Sequence, residues 1–285
     1  KSMAGKSTRV IDLQGKMVMP GIHDAHTHLL HAGLKWTHEC RLPPNAGRDA
    51  ILETLQGCSE QSEDDDWIVA GDYNPNIPGN EKLDRKFLDQ AFPDKAIYIY
   101  DFTIHHALVN SKALTLAGIH SGTADPPGGK VVKDIVTGEP TGELIEMATA
   151  LVSRVIPPYD AEINGNALRY SIARCHQYGI TSVQEASGTP TLLQLYNEFD
   201  HSQELNLFVM THIVWGSEKW GDETVSGLDD LIAARDKFSS RHVTTNATKV
   251  WMDGAPLPPH FTQAGIEATS DGVQLDKLLF DQKRL

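Results

Sequence analysis

The chain has 285 residues, 40% hydrophobic and 22% charged, enough apolar material for one large domain or two ordinary ones and too much for intrinsic disorder. Its 25 Lys plus Arg against 38 Asp plus Glu leave a formal charge of -13, which argues against a nucleic-acid partner, because phosphate-backbone contacts need cationic side chains to displace counterions. No apolar run approaches the roughly 20 residues that cross a bilayer, and Lys1 to Lys6 lacks the apolar core of a signal peptide, so the expectation is a soluble, cytoplasmic protein without membrane contact.

In chain order, Val10 to Leu13 and Lys16 to Met19 read as two short strands about Gln14-Gly15, stopped by Pro20-Gly21. This hairpin, residues 1–20, is expected to be the remnant of a small β-sandwich domain. Beyond Gly21, short apolar runs alternate with stretches of helical period, the pattern of strand-helix units on a mainly parallel sheet. Strands are expected at Gly21 to His28, Trp67 to Gly71, Ala96 to Phe102, Gly179 to Glu185, Leu205 to Ile213 and Thr248 to Gly254. Helices are expected near Asp49 to Ser62, Leu83 to Ala91, Ile163 to Tyr178, Thr191 to Phe199 and Gly227 to Phe238. Ser121 to Pro140, with Asp125-Pro126-Pro127-Gly128-Gly129, is turn-rich and reads as a loop or small hairpin. The acidic run Glu63 to Asp66 reads as a solvated loop.

Cys40, Cys58 and Cys175 have no CxxC spacing and suit neither a disulfide framework nor a thiolate zinc site, in keeping with a reducing compartment. The 13 histidines stand out, because imidazole is the commonest metal ligand. Pro20-Gly21-Ile22-His23-Asp24-Ala25-His26-Thr27-His28 is the most informative segment. Strict alternation along a strand would put Asp24, His26 and His28 on one face, and two imidazoles two residues apart can reach one metal ion. Lys249, inside a strand, is costly as an ammonium unless it is paired or chemically altered. An ion pair with Asp253 or Glu185, or a stem that snorkels to solvent, would meet that need. His31, His38, His120, His176, His201, His212, His242 and His260 are assigned to core or surface. Gly5-Lys6-Ser7 leads into a strand instead of a helix and is no phosphate loop, and the sequon at Asn246 runs into a strand.

These residues resemble the metal-dependent amidohydrolase superfamily, whose first barrel strand ends in Pro-Gly-x-x-Asp-x-His-x-His. The resemblance is closer to the amidohydrolase family 3 branch, which includes proteins similar to N-substituted formamide deformylase. It continues through His105 to Leu114, Asp125 to Gly129, Gly138 to Glu146, Gly179 to Val183 and Lys249 to Gly254. What it implies is an α/β fold, the first half of a (β/α)8 TIM-like barrel over residues 21–285, with an insertion over about 67–158 covering the mouth.

The resemblance also implies a function: metal-assisted hydrolysis of a non-peptide, amide-type carbon-nitrogen bond in a small-molecule substrate. His26 and His28 fall on the first-strand metal ligands, and Lys249 on a fourth-strand lysine that bridges two ions when carboxylated. His105 falls on a histidine of the insertion that contacts substrate, so Lys249 and His105 are the catalytic candidates. Asp24 and Glu146 are expected to support them. The cofactor is expected to be one or two divalent ions, zinc above all. The family's later ligands, histidines at strands five and six and an aspartate at strand eight, have no counterpart before Leu285. The expectation is therefore a piece of a longer chain or a non-catalytic remnant, and a homodimer that closes two half barrels is a further reading.

Overall fold

The structure, a computed structural model, describes residues 3, 5–61, 66–77, 82–214, 228–256, 258, 260–264 and 277–279. Glu63 to Asp65 of the acidic run, and the stretch from Asp271 to Asp276, lie outside them. The elements in order are β1 Ile22–Thr27, α1 Leu29–Thr37, β2 Cys40–Arg41, α2 Arg48–Gln61, β3 Trp67–Tyr73, α3 Arg85–Ala91, β4 Ala96–Asp101 and β5 His106–Val109. Then come α4 Ser111–Leu116, β6 Gly129–Lys133, β7 Pro140–Glu146, α5 Thr149–Ser153, α6 Ala161–Gln177, β8 Ile180–Gly188 and α7 Pro190–His201. The described elements close with β9 Phe208–Val214, α8 Leu228–Ala233, a 3-10 turn at Arg235–Phe238 and β10 Val243–Lys249.

Two sheets result. The first is parallel throughout, in the order β1-β8-β9-β10. Its core joins Leu29, Leu168, Ile172, Val183, Leu192, Tyr196 and Val209, apolar side chains of the strands and of α1, α6 and α7. Asp160 and Thr189 cap α6 and α7 by accepting from Ile163 N and Leu192 N, and Pro190 pre-sets the first turn of α7. Gly33 permits the close approach of α1 to α6, since a Cβ there would lie 2.1 Å from the Ala167 carbonyl oxygen.

The second sheet is mixed, in the order β2-β3-β4-β5-β7-β6, and is covered on both faces. Ile97 and Ile99 of β4 pack with Ile51, Leu55, Phe87 and Leu88 on one side, and Tyr98 and Tyr100 with Ala113, Leu114 and Val152 on the other. Asn110 locks this layer: its side-chain oxygen accepts from Ala113 N and Ile97 N, both at 3.0 Å, and its amide donates to the carbonyls of Phe92 and Lys95. The seam to the first sheet is polar. Tyr100 donates to Glu39 at 2.6 Å, while Lys35 of α1 and Arg41 of β2 meet Asp72 at 2.7 and 3.1 Å.

Several expectations give way. Residues 10 to 19 form no strand, and Val10, Met17 and Val18 are exposed, because none of the described residues offers them a ladder partner. The turn at Gln14-Gly15 does form, with positive φ at both residues. The fourth strand of the first sheet runs over Val243–Lys249 instead of Thr248 to Gly254: the β-branched Val243, Thr244, Thr245 and Thr248 carry the strand, and the apolar Val250-Trp251-Met252 lies beyond it. Cys40 and Cys58 form a disulfide with a Cα–Cα distance of 6.1 Å, against the expectation of free thiols, because α2 folds back beside β2. Cys175 is free and buried.

Burial alone would raise the Asp72 carboxyl, but its bonds to Lys35 and Arg41 outweigh that and hold it below the ordinary value. A depressed carboxylate stabilises the fold above its unfolded pKa of about 3.9, and that contribution is lost as pH falls through the folded value. Asp72→Asn should therefore cost on the order of 1 kcal/mol at neutral pH after allowance for screening, and the gap to the parent should close as pH falls through the folded value, as read by urea unfolding across pH.

Candidate metal centre

The C-terminal ends of the four parallel strands share one rim, where an α/β sheet presents its chemistry. Two local register shifts decide what points there. On β1, Asp24 pairs with Val183 but Thr27 pairs with Glu185, so three residues of β1 span two of β8. On β10, Thr244 pairs with Met210 but Ala247 pairs with His212, which reverses the facing of the last turn of strand. Val183 and Val209 belong to the core under the helices. Asp24 therefore turns toward the helix layer, within electrostatic reach of Cys175 on α6, while His26 and His28 turn the other way. This corrects the strict alternation expected along β1, because the shift inserts one residue between the aspartate and the histidine pair. Asp24 still serves that pair through the backbone, its Oδ1 accepting from the His26 amide at 3.0 Å.

The rings of His26 and His28 meet edge to face with centroids 5.4 Å apart. The carboxylate beside the His28 ring is Glu185, with Oε1 3.3 Å from Nδ1. Glu185 is 1% exposed and also accepts from Leu29 N at 2.9 Å, Tyr196 Oη at 2.8 Å and Ser187 N at 3.2 Å. Such a carboxylate fixes ring orientation, as the outer partners of metal-binding imidazoles do. Burial first, then the charges of Lys249, His28 and His212, lower the pKa of His26 and favour the neutral imidazole that a metal needs.

Lys249 ends β10 half-buried, and burial lowers the pKa of its ammonium. Neither Asp253 nor Glu185 pairs with it; Nζ instead lies 4.2 Å from the centroid of the Trp251 ring. The opposite side of this cluster comes from the second sheet. His105 lies 6.4 Å from Trp251, ring to ring, and its Nδ1 lies 2.8 and 2.9 Å from the two carboxylate oxygens of Glu146. Glu146, 3% exposed, ends β7 with a φ of 52° and accepts from Thr262 Oγ1. His106 turns aside to Asp101, with Nδ1 3.3 Å from Oδ2.

Of the sequence-predicted site residues, Asp24 bonds the His26 backbone, His26 meets His28 ring to ring and lies within electrostatic reach of Lys249, and Trp251 stands between Lys249 and the His105–Glu146 pair. Two residues were missed. Glu185 is the last residue of an expected strand, where a carboxylate is itself a signal. His212 stands on the rim face of β9, within electrostatic reach of Lys249 and Glu185, and burial is the main cause of its lowered pKa. A cavity of about 590 Å³ at the other end of the strands lies beside a clamp: His242 Nδ1 lies 2.6 Å from Asp200 Oδ1, and Asp200 Oδ2 accepts from the His242 amide at 2.8 Å.

A divalent ion fits this donor set in part. Two adjacent imidazoles suit a borderline ion, whereas Lys249 as an ammonium has no lone pair to offer one. Among the described residues no three His, Cys, Asp or Glu side chains converge on one point, so His26 and His28 supply only part of a coordination shell.

A model of the amidohydrolase family matches residues 9–275. Relatives include Protein LONG AFTER FAR-RED 3 of Arabidopsis thaliana, 31% identical over 70% of this chain and 32% of its own length. Putative amidohydrolase YtcJ of Bacillus subtilis is 34% identical over 61% of this chain and 33% of its own. N-substituted formamide deformylase of Arthrobacter pascens is 26% identical over 92% and 49%. The chain therefore spans from about a third to about half of these relatives. In fold it is similar to an uncharacterized metal-dependent hydrolase from Pyrococcus horikoshii, with TM-score 0.61 and 21% identity over 87% of this chain and 46% of that one. A second, from Pyrococcus furiosus, has TM-score 0.58 and 18% identity over 86% and 46%. Among the described residues no helix is long and apolar enough to cross a membrane.

Gly254 lets the chain after Trp251 close against Glu146, since a Cβ there would lie 2.3 Å from Glu146 Oε1 and 2.2 Å from Thr262 Oγ1. Gly254→Ala should cost about 1–3 kcal/mol by overpacking, measured by urea unfolding, and should shift the ring resonances of His105 in NMR spectra. Unchanged stability and spectra would contradict the contact.

Proposed function

This chain belongs to the amidohydrolase family, and on that premise we propose that it carries the strand-one and strand-four half of the centre of a hydrolase that cleaves an amide-type, non-peptide carbon-nitrogen bond in a small molecule. The observation that carries the reading is the gathering of His26, His28 and Lys249 on one rim, with His105 facing them from the second sheet. On this reading the parallel sheet is the first half of a (β/α)8 barrel, and the mixed sheet is the insertion over its mouth.

A divalent ion bound here, zinc among those that imidazole nitrogen suits, would supply Lewis acidity and an activated water near neutral pH. His26 and His28 would hold it, and a carboxylated Lys249 would bridge to a second. The chain's own residues do the rest. Glu185 keeps the His28 ring turned toward the rim, and Asp24 fixes the backbone at His26. Glu146 holds Nδ1 of His105 and so fixes the orientation of the ring that faces the rim. Trp251 and the second sheet wall the rim and shape the pocket. The net charge of -13 disfavours polyanionic substrates.

Metal content by inductively coupled plasma mass spectrometry tests this. The parent should retain about one equivalent of a divalent transition metal, and a folded His26→Ala, His28→Ala double variant should lose at least tenfold in affinity. Background metal in both folded proteins would favour the non-catalytic remnant.

A further inference from the structure

His212 is not among the groups used above, yet its place is specific. It is the next-to-last rim-facing position of β9, whose buried alternates Val209, Thr211 and Ile213 face the helices. Its Nε2 is buried and has no hydrogen-bond partner among the described residues. An unpaired buried ring nitrogen costs about 1–3 kcal/mol and is retained where something absent from the bare chain completes it.

The register names the neighbour. Ala247 of β10 lies opposite His212 and Lys249 lies opposite Val214, so the imidazole and the lysine stand one step apart on adjacent strands, on the face that the β10 shift created. Ala247 contributes only a methyl group and leaves that gap unfilled. The two residues are within electrostatic reach of each other. Among the described residues no carboxylate lies within ion-pair distance of Lys249; its one charge-type contact is the Trp251 face.

We propose that His212 is a positioning residue that holds a carboxylated Lys249, its Nε2–H donating to a carbamate oxygen. This rests on the reading of Lys249 as a bridging carbamate. The modification forms when the Nζ lone pair of the neutral amine attacks the carbon of carbon dioxide. A nitrogen-carbon bond forms, one carbon-oxygen π pair moves to oxygen, and a proton leaves Nζ for water. The product replaces a cation by an anion with two acceptor oxygens, which no longer suits the Trp251 face and is matched by the donor one register step away.

The test uses the full chain, zinc and carbon-13 bicarbonate, reading the carbamate carbonyl resonance by NMR, with Lys249→Ala to assign it. In the parent the signal should saturate with bicarbonate. In His212→Ala, half-saturation should need about tenfold more bicarbonate, the loss of one hydrogen bond to a charged group, and His212→Gln should recover most of it. Circular dichroism and melting temperature confirm that both variants fold. A signal equal in parent and His212→Ala would overturn the role of His212 and leave the carbamate standing. A parent without any Lys249-dependent signal would overturn both, which distinguishes the two failures.

Discussion

The site depends on the register of one parallel ladder. Four strands laid side by side in the same direction bring their last residues to a common rim, but alternation alone would not turn the right side chains toward it. The extra residue on β1 separates Asp24 from His26 and His28, and the shift on β10 turns Lys249 away from the face of Val243 and Thr245. Both sit within the last turn of strand before a candidate ligand, where bulges re-aim side chains.

The ladder needs something to hold its end still, and Glu185 does so. One buried carboxylate gathers the backbone after His28, the His28 ring, the Tyr196 hydroxyl of α7 and its own strand's continuation at Ser187. Removing it would leave several buried donors unsatisfied at once, which is why its contribution belongs as much to folding as to the site. From the other side the second sheet is pinned to α1 through Lys35, Asp72 and Glu39, so the wall bearing His105 and Glu146 keeps its distance from the rim.

Much of this was legible in the sequence, and the parts that were not share a cause. Strand-helix alternation located β1, β3, β4, β8, β9 and the large helices to within a few residues, because long runs of one period carry strong signals. His106 to Val109 is buried at every position, so it shows no period and was not read as a strand. The expected strand falls on Val250 to Met252 because a half-exposed, Thr-rich strand is quieter than an apolar run. Asp24 was put on the wrong face because a single-residue shift leaves no trace in composition. His212 could be found only from the buried alternates on either side of it, and the Cys40–Cys58 contact only from the return of α2 along β2.

The central claim is that His26 and His28 on this rim bind a metal through nitrogen. Zinc K-edge X-ray absorption on the zinc-loaded chain tests it most directly. The account predicts a shell of nitrogen and oxygen at about 2.0–2.1 Å with outer-shell imidazole scattering that falls away in the His26→Ala, His28→Ala variant. A sulfur shell near 2.3 Å, or a spectrum indifferent to loss of both histidines, would contradict it.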